Sequence, residues 1–219
     1  MRRKLQTDPQ TRILDAAENA VAECGFAGSS LRRIALEARV NLATVYYYFR
    51  SKRGLMEAVL KRRFGPVREE HLALLREYEA AAKGRPLPVE KVLEAMLVPP
   101  LRLAAQDSAR RQAVRRLFGR IVGEPDAETQ DMLRSQQVEV RTAFVKAFRR
   151  SLPEAPLPDL LWSVEFASGA LAFTLCNPRR LEVETRGACN PANTEKVLAK
   201  MIRFFAAGFH ALAERKRKR

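Results

Sequence analysis

Between Ser30 and Lys52 the chain sets three tyrosines, a threonine, two adjacent arginines and a lysine around two short apolar periodicities. These residue types bind phosphates and base edges. Arg and Lys neutralise backbone phosphates, Tyr and Ser hydroxyls fix a protein's register on them, and a Thr hydroxyl or a small apolar side chain meets base edges in the major groove. Leu31, Ile34, Ala35 and Ala38 form the inner face of one helix, Val40 plugs a turn, and Val45 with Phe49 anchors a second, compact helix over Leu42 to Phe49. Leu42, Ala43, Thr44 and Tyr47 are then expected to face outward, on a surface nearly free of carboxylates. A helix that reads the major groove meets base edges mainly with its N-terminal residues, so Leu42, Ala43 and Thr44 are the candidate base contacts. Tyr46 and Tyr47 suit phosphate. Lys52 sits in the first turn of the next helix, where amides and an ammonium can converge on one phosphate. Of Arg32 and Arg33, one must point outward, to a base or to the backbone.

The elements that position these residues are read as helices throughout. Asp8 and Pro9 suit the cap and first position of a helix over residues 8 to 24, with Gly25 as its left-handed terminator and Ser29-Ser30 as caps for the next. Asn41 is the expected cap of the helix starting at Leu42, and Ser51 of a fourth helix that Gly65-Pro66 should end or kink. Further helical patterns fall at 67–82, 89–98, 101–123, 127–151, 158–176 and 193–214, divided at Gly84-Arg85-Pro86, Pro99-Pro100, Glu124-Pro125, Pro153 to Pro158 and Asn177-Pro178. No strand alternation is evident. The expected fold is all-α, with an N-terminal helix-turn-helix domain over 1–65 and a larger helical domain over 66–219.

Bulk properties narrow the partners. The 219 residues carry 40 Lys and Arg against 25 Asp and Glu, a formal net charge of +15, so the partner expected is polyanionic. The first 63 residues hold 13 basic and 6 acidic side chains, making the N-terminal end the denser in positive charge. Cys24, Cys176 and Cys189 lie far apart, with no CxxC pair and no His at ligand spacing, which fits a reducing cytoplasm without a metal or other cofactor. Two histidines, His71 and His210, read as surface residues, and no nucleophile elbow, phosphate-binding glycine loop or H-E-x-x-H pair is present, which argues against an enzyme. Leu160 to Cys176, bordered by Asp159 and interrupted by Glu165, is short of a bilayer span and reads as a buried helix, so no membrane partner is expected. Arg110-Arg111, Arg115-Arg116 and Arg120 read as a wet helix face, and Arg215 to Arg219 as a solvated tail.

At Ser30 to Leu55 the sequence resembles the TetR family of repressors, in which a Thr or Ser opens the second helix and an Ile-Ala pair lies within it. The family's aliphatic-Tyr-x-His-Phe run, followed by Lys and Leu, reads here as Val45-Tyr46-Tyr47-Tyr48-Phe49, then Lys52 and Leu55. Tyr48 stands where His is commonest, Arg39 replaces the usual turn glycine, and Asn41 the usual Ser or Thr cap. The resemblance adds Ser30 to the candidate DNA contacts and implies a homodimeric regulator, a repressor freed from a palindromic operator by a small hydrophobic ligand. It also implies that the last two long helices form the dimer interface. Leu160, Val164, Ser168, Leu171 and Leu175 offer one stripe for it, and Val197, Met201, Phe204, Phe205, Gly208 and Leu212 another. Leu97, Leu101, Phe118, Ile121, Phe144, Trp162 and Phe166 either line the ligand cavity or are plain core. The alternative function is a constitutive basic protein that binds DNA or a membrane surface without ligand response.

Overall fold

A computed structural model describes residues 8–105, 119, 126–176 and 178–214 of the chain. The described elements are helices: α1 (Pro9–Gly28), α2 (Leu31–Glu37), α3 (Leu42–Phe49), α4 (Lys52–Ala81), α5 (Val89–Ala105), α6 (Ala127–Ser151), α7 (Leu157–Cys176), α8 (Pro178–Glu184) and α9 (Thr194–Glu214). They sort into two compact units. One holds the described residues between Met1 and Gly65 and between Ser108 and Gln136; the other holds those between Pro66 and Asp107 and between Gln137 and Arg219.

In the first unit α1 begins as its sequence dictates. Asp8 Oδ2 accepts the Thr11 amide at 3.3 Å, and Pro9 fills a position whose missing N–H removes no hydrogen bond. Gly25 adopts φ 75°, but the helix resumes for a final turn to Gly28 instead of stopping there. Ser29 and Ser30 then depart from the expected caps: the Ser29 hydroxyl donates back to the Phe26 carbonyl, and Ser30 occupies the cap position of α2 without a side-chain bond. The core gathers Ile13, Ala17 and Val21 of α1, Ile34, Val45, and Leu55, Val59 and Leu60 of α4, all at most 2% exposed. Met132, from the first turns of α6, is sealed among them. Each of these side chains larger than alanine contributes about 1.5–3 kcal/mol on burial.

A charged tie joins α1 to α4. Glu18 is only 6% exposed, and its carboxylate is held by Arg63 and, at 3.2 Å, by the Nε of Arg62; Arg62 also grips Asp15. A carboxylate withdrawn from water survives only with such partners, since breaking a buried pair strands the remaining charge.

Three prolines read as helix breakers lie inside helices. α4 runs through Pro66, and α5 through Pro99 and Pro100. Proline forfeits one ladder hydrogen bond and crowds the preceding turn. At Pro66 the preceding residue is Gly65, which has no Cβ to meet the proline ring, so the usual pressure on that residue to leave the helix is relieved. At Pro99 burial of Val98, Pro99 and Leu101 favours the continuous helix. The structure adds α8, which starts on Pro178 where the sequence predicts a break, and the helix expected at 101–123 falls mostly on residues outside those described.

α5 lies at the centre of the second unit, with Val92, Leu93, Ala95 and Leu97 fully buried. α9 packs on α5 and α7, and Phe148 of α6 stacks on Phe209 of α9 at 4.5 Å between ring centroids. His71 is not a surface residue. Its Nε2 lies 2.8 Å from the Met96 carbonyl and its ring meets Phe144 edge-on, and burial pulls its pKa below the ordinary value. His210 pairs with Glu90 at 2.8 Å, a partner 120 residues away that local sequence could not reveal.

Two outcomes are expected. Glu18→Ala strands Arg62 and Arg63 and should lower stability by about 3 kcal/mol in urea unfolding, with Glu18→Gln recovering part of the loss. For His71 the folded pKa is depressed, so below the ordinary value of 6.5 the unfolded chain takes up the proton first and stability falls with pH. His71→Asn should flatten that part of the profile, read as the urea midpoint between about pH 7.5 and 5.5.

Candidate nucleic-acid interface

The turn between α2 and α3 determines how the second helix is presented. At the end of α2 the Val40 amide donates to the Ala35 carbonyl at 3.0 Å and the Arg39 amide to the Leu36 carbonyl at 3.1 Å, the paired bonds of a Schellman motif. The residue between must be left-handed, and Arg39 is, at φ 55°. Glycine suits that position best, and Arg39 holds it with some strain. Asn41 then caps α3, its Oδ1 accepting both the amide and the hydroxyl of Thr44 at 2.7 Å. Two of the four amides that a helix start leaves open lie within reach of such a cap, and here one is satisfied.

α3 has no ionisable acid or base among its side chains apart from its tyrosines. Val45 and Phe49 are buried against α1, α2 and α4, as their spacing predicted. Ala43, Tyr46, Tyr47 and Tyr48 face solvent, and Tyr47 is the most prominent at 72% exposed. Leu42 differs from the expectation: it is half-buried and packs against the core, because the helix entry tips its first side chain inward. The Thr44 hydroxyl is engaged by Asn41, leaving its acceptor lone pairs for a partner. Outward presentation therefore rests on Ala43 and Tyr47, one turn apart, flanked by Tyr46 and Tyr48.

The structure distinguishes the two arginines of α2. Arg33 donates to Glu23 of α1 at 2.5 Å, whereas Arg32 is exposed with no ion pair among the described residues. Leu36, one turn beyond Arg32, is 80% exposed on the same side. Ser30 is exposed, its hydroxyl not used in capping. Lys52 is half-buried: its Nζ donates to the Ala27 carbonyl at 3.1 Å and stands 4.6 Å from the centre of the Phe26 ring, with two of its three N–H groups left over. Ser51 Oγ accepts the Gly54 amide at 2.9 Å, completing the start of α4. Arg53, the neighbour of Lys52, is exposed and was not among the expected contacts, although its residue type and place match those of the lysine.

In the second unit, Leu97, Leu101 and Phe144 come together in the core. Phe118 and Ile121 lie outside the described residues, as do Arg110, Arg111, Arg115, Arg116, Arg120 and the Arg215–Arg219 tail. Trp162 and Phe166 do not join the core group. Both are 61% exposed and stack on each other at 5.5 Å. Most residues of the two stripes expected at a dimer interface point into the unit itself. Leu160, Val164 and Leu171 are buried in the unit's own core with Met201, and Leu175, Val197, Phe205 and Leu212 pack against it. Of the residues named, Ser168, Gly208 and Phe204 remain exposed, Phe204 at 74%. The outward face of α7 is instead Trp162, Phe166, Gly169 and Phe173, and that of α9 is Phe204, Ala207, Gly208 and Ala211. The buried and exposed stripes of α7 share one spacing and differ by two positions, about 200° around a helix, so periodicity alone cannot tell them apart. Nor is α7 a buried helix: it is long and apolar enough by composition to cross a membrane, yet 22% of that stretch is buried.

Comparison with known proteins agrees with this arrangement. Residues 13–59 match the tetR family of bacterial regulatory proteins, and residues 94–208 match the tetracyclin repressor-like C-terminal domain. The HTH-type transcriptional regulator BetI of Escherichia coli is 27% identical over 178 residues, 75% of this chain and 86% of that one. The HTH-type regulator YttP of Bacillus subtilis is 40% identical over 53 residues, 24% of this chain and 26% of that one. Among solved structures, the fatty acid degradation regulator FadR of Bacillus halodurans superposes with a TM-score of 0.60 at 16% identity, covering 94% of this chain and 98% of that one. FadR of Bacillus subtilis, in complex with stearoyl-CoA, does so with a TM-score of 0.53 at 16% identity, over 90% and 98%. With a helix-turn-helix supported as described and more than half its length matching the C-terminal domain, the chain belongs to the TetR family of bacterial regulatory proteins.

Proposed function

We propose that this chain is a DNA-binding transcriptional regulator that acts as a homodimer and leaves its operator when a small hydrophobic ligand binds the second unit. The observation that carries the DNA reading is α3 itself: an uncharged helix on a rigidly packed base, presenting Ala43 and a 72% exposed Tyr47, with Arg32 and Lys52 beside it. In this reading Ala43 and Thr44 meet base edges, while Ser30, Arg32, Tyr46, Tyr47 and Lys52 bind phosphates. Arg33, committed to Glu23, plays a supporting part, and Leu42 sets the helix entry.

The aromatic face of α7 and α9 supports the dimer. Trp162, Phe166, Phe173 and Phe204 form an apolar surface of a kind that soluble monomers seldom leave open. Pairing about a two-fold axis through this face gives the protein two copies of α3, and a two-fold pair of reading elements calls for an inverted-repeat operator. The ligand class finds support in FadR of Bacillus subtilis, whose structure holds stearoyl-CoA, and in the aliphatic and aromatic surroundings of Leu97, Leu101 and Phe144. Ligand-to-operator coupling in such systems is typically 5–150-fold and reciprocal.

Selection of bound duplexes from a random pool should enrich an inverted repeat; a steep salt dependence without any enriched sequence would favour the constitutive reading instead. On the selected site, Tyr47→Ala should weaken binding roughly tenfold, and by the same factor on a scrambled duplex, as loss of a phosphate contact does. Phe166→Asp, measured by sedimentation, should give a folded monomer. A variant that stays dimeric would place the interface elsewhere.

A further inference from the structure

Arg53 follows Lys52 in the first turn of α4, just beyond the end of α3. Its guanidinium gathers three carboxylates: Glu57 at 2.9 Å, Asp131 at 3.2 Å and Glu128 at 3.9 Å. Glu57 lies one turn along the same helix, but Asp131 is 78 residues away and arrives with Glu128 on the opening turns of α6. Two features hold that turn in place. Met132 is buried in the core of the first unit, and Asp126 caps the start of α6 through the amide and hydroxyl of Thr129, both at 2.8 Å. The Thr129 amide and hydroxyl hold the Asp126 carboxyl below its usual pKa, and the charge of nearby Lys52 adds a smaller push in the same direction. A distant stretch of chain thus places three carboxylates around the two cations that border α3.

Stability does not account for the arrangement. The side chains of Arg53, Glu57, Glu128 and Asp131 are between 42% and 57% exposed, and ion pairs so wet contribute little to folding. They are also readily exchanged. A guanidinium presents the same planar fork of donors to a carboxylate as to a phosphate, and a duplex adds the gain from released counterions. We propose that Arg53 is a DNA-phosphate contact held in reserve: without DNA, Asp131 and Glu128 occupy its guanidinium, and on a duplex a backbone phosphate displaces them. The opening turn of α6 is then an internal competitor for DNA, and its carboxylates set how tightly the protein holds any sequence. This inference rests on the DNA reading of α3 given above.

The test measures binding of the full-length protein to a labelled mixed-sequence duplex by fluorescence anisotropy, between about 50 and 200 mM salt. Arg53→Gln should make the slope of log affinity against log salt shallower by about 0.9, the value of one phosphate contact, and Arg53→Lys should restore most of it. A residue that served only to hold α4 and α6 together would leave that slope unchanged. Joint substitution of Asp131→Asn and Glu128→Gln should tighten binding about fivefold with Arg53 present, and less than about twofold in the Arg53→Gln background. Equal gains in both backgrounds, or an Arg53→Gln slope matching that of the unaltered protein, would overturn the proposal while leaving the DNA reading intact. If the unaltered protein ignores the duplex even at low salt, both fall together.

Discussion

Everything the first unit presents to a partner depends on the pair of backbone hydrogen bonds that closes α2, from the Val40 amide to the Ala35 carbonyl and from the Arg39 amide to the Leu36 carbonyl. They turn the chain back within four residues, aim α3 away from the core and bring Asn41 to its cap. The strain of a left-handed arginine is borne locally, and Val40 seals the turn by packing inside. Behind α3 the scaffold is dry and tied by charge, with Val45 and Phe49 buried and Glu18 locking α1 against α4. A helix as short as α3 could not remain folded alone, since isolated helices need about 12–15 residues to persist in water. Its order is lent by its supports.

The second unit meets a different constraint. α7 is apolar around most of its circumference, so its own core can absorb only one stripe of it. The aliphatic stripe, Leu160, Val164, Ala167 and Leu171, goes inward, where branched side chains interdigitate with Met201 and the α5 residues. The large rings are left outside, and two of them cover one another in the Trp162–Phe166 stack.

The starts of α1, α3 and α4 were legible because each opens on a residue whose side chain satisfies a free amide, whereas Gly25 and Ser29-Ser30 did not bound their helices as expected. Asp8-Pro9, Asn41 and Ser51 all cap where their chemistry says they should. Val45 and Phe49 were legible as anchors for the same local reason. Features set by distant chain were not. Nothing near Glu18 announces Arg62 and Arg63, and nothing near Arg53 announces Asp131. The prolines misled because a proline's local penalty is small beside the burial that continuous helices secure, as at Pro99. The two faces of α7 were indistinguishable for a geometric reason, since opposite stripes repeat with equal period. Burial, which depends on the whole fold, decides between them.

The neutrality of α3 divides labour along the surface. Its eight side chains offer hydroxyls, rings and methyl groups but no formal charge, while the cations stand on the flanks at Arg32, Lys52 and Arg53. Under the proposed function, the long-range pull toward any duplex then belongs to the flanking cations, while α3 makes short-range contacts alone, to bases through Ala43 and Thr44 and to phosphates through Tyr46 and Tyr47. A change at Ala43 can then alter what is read without touching the charge that draws the protein to DNA.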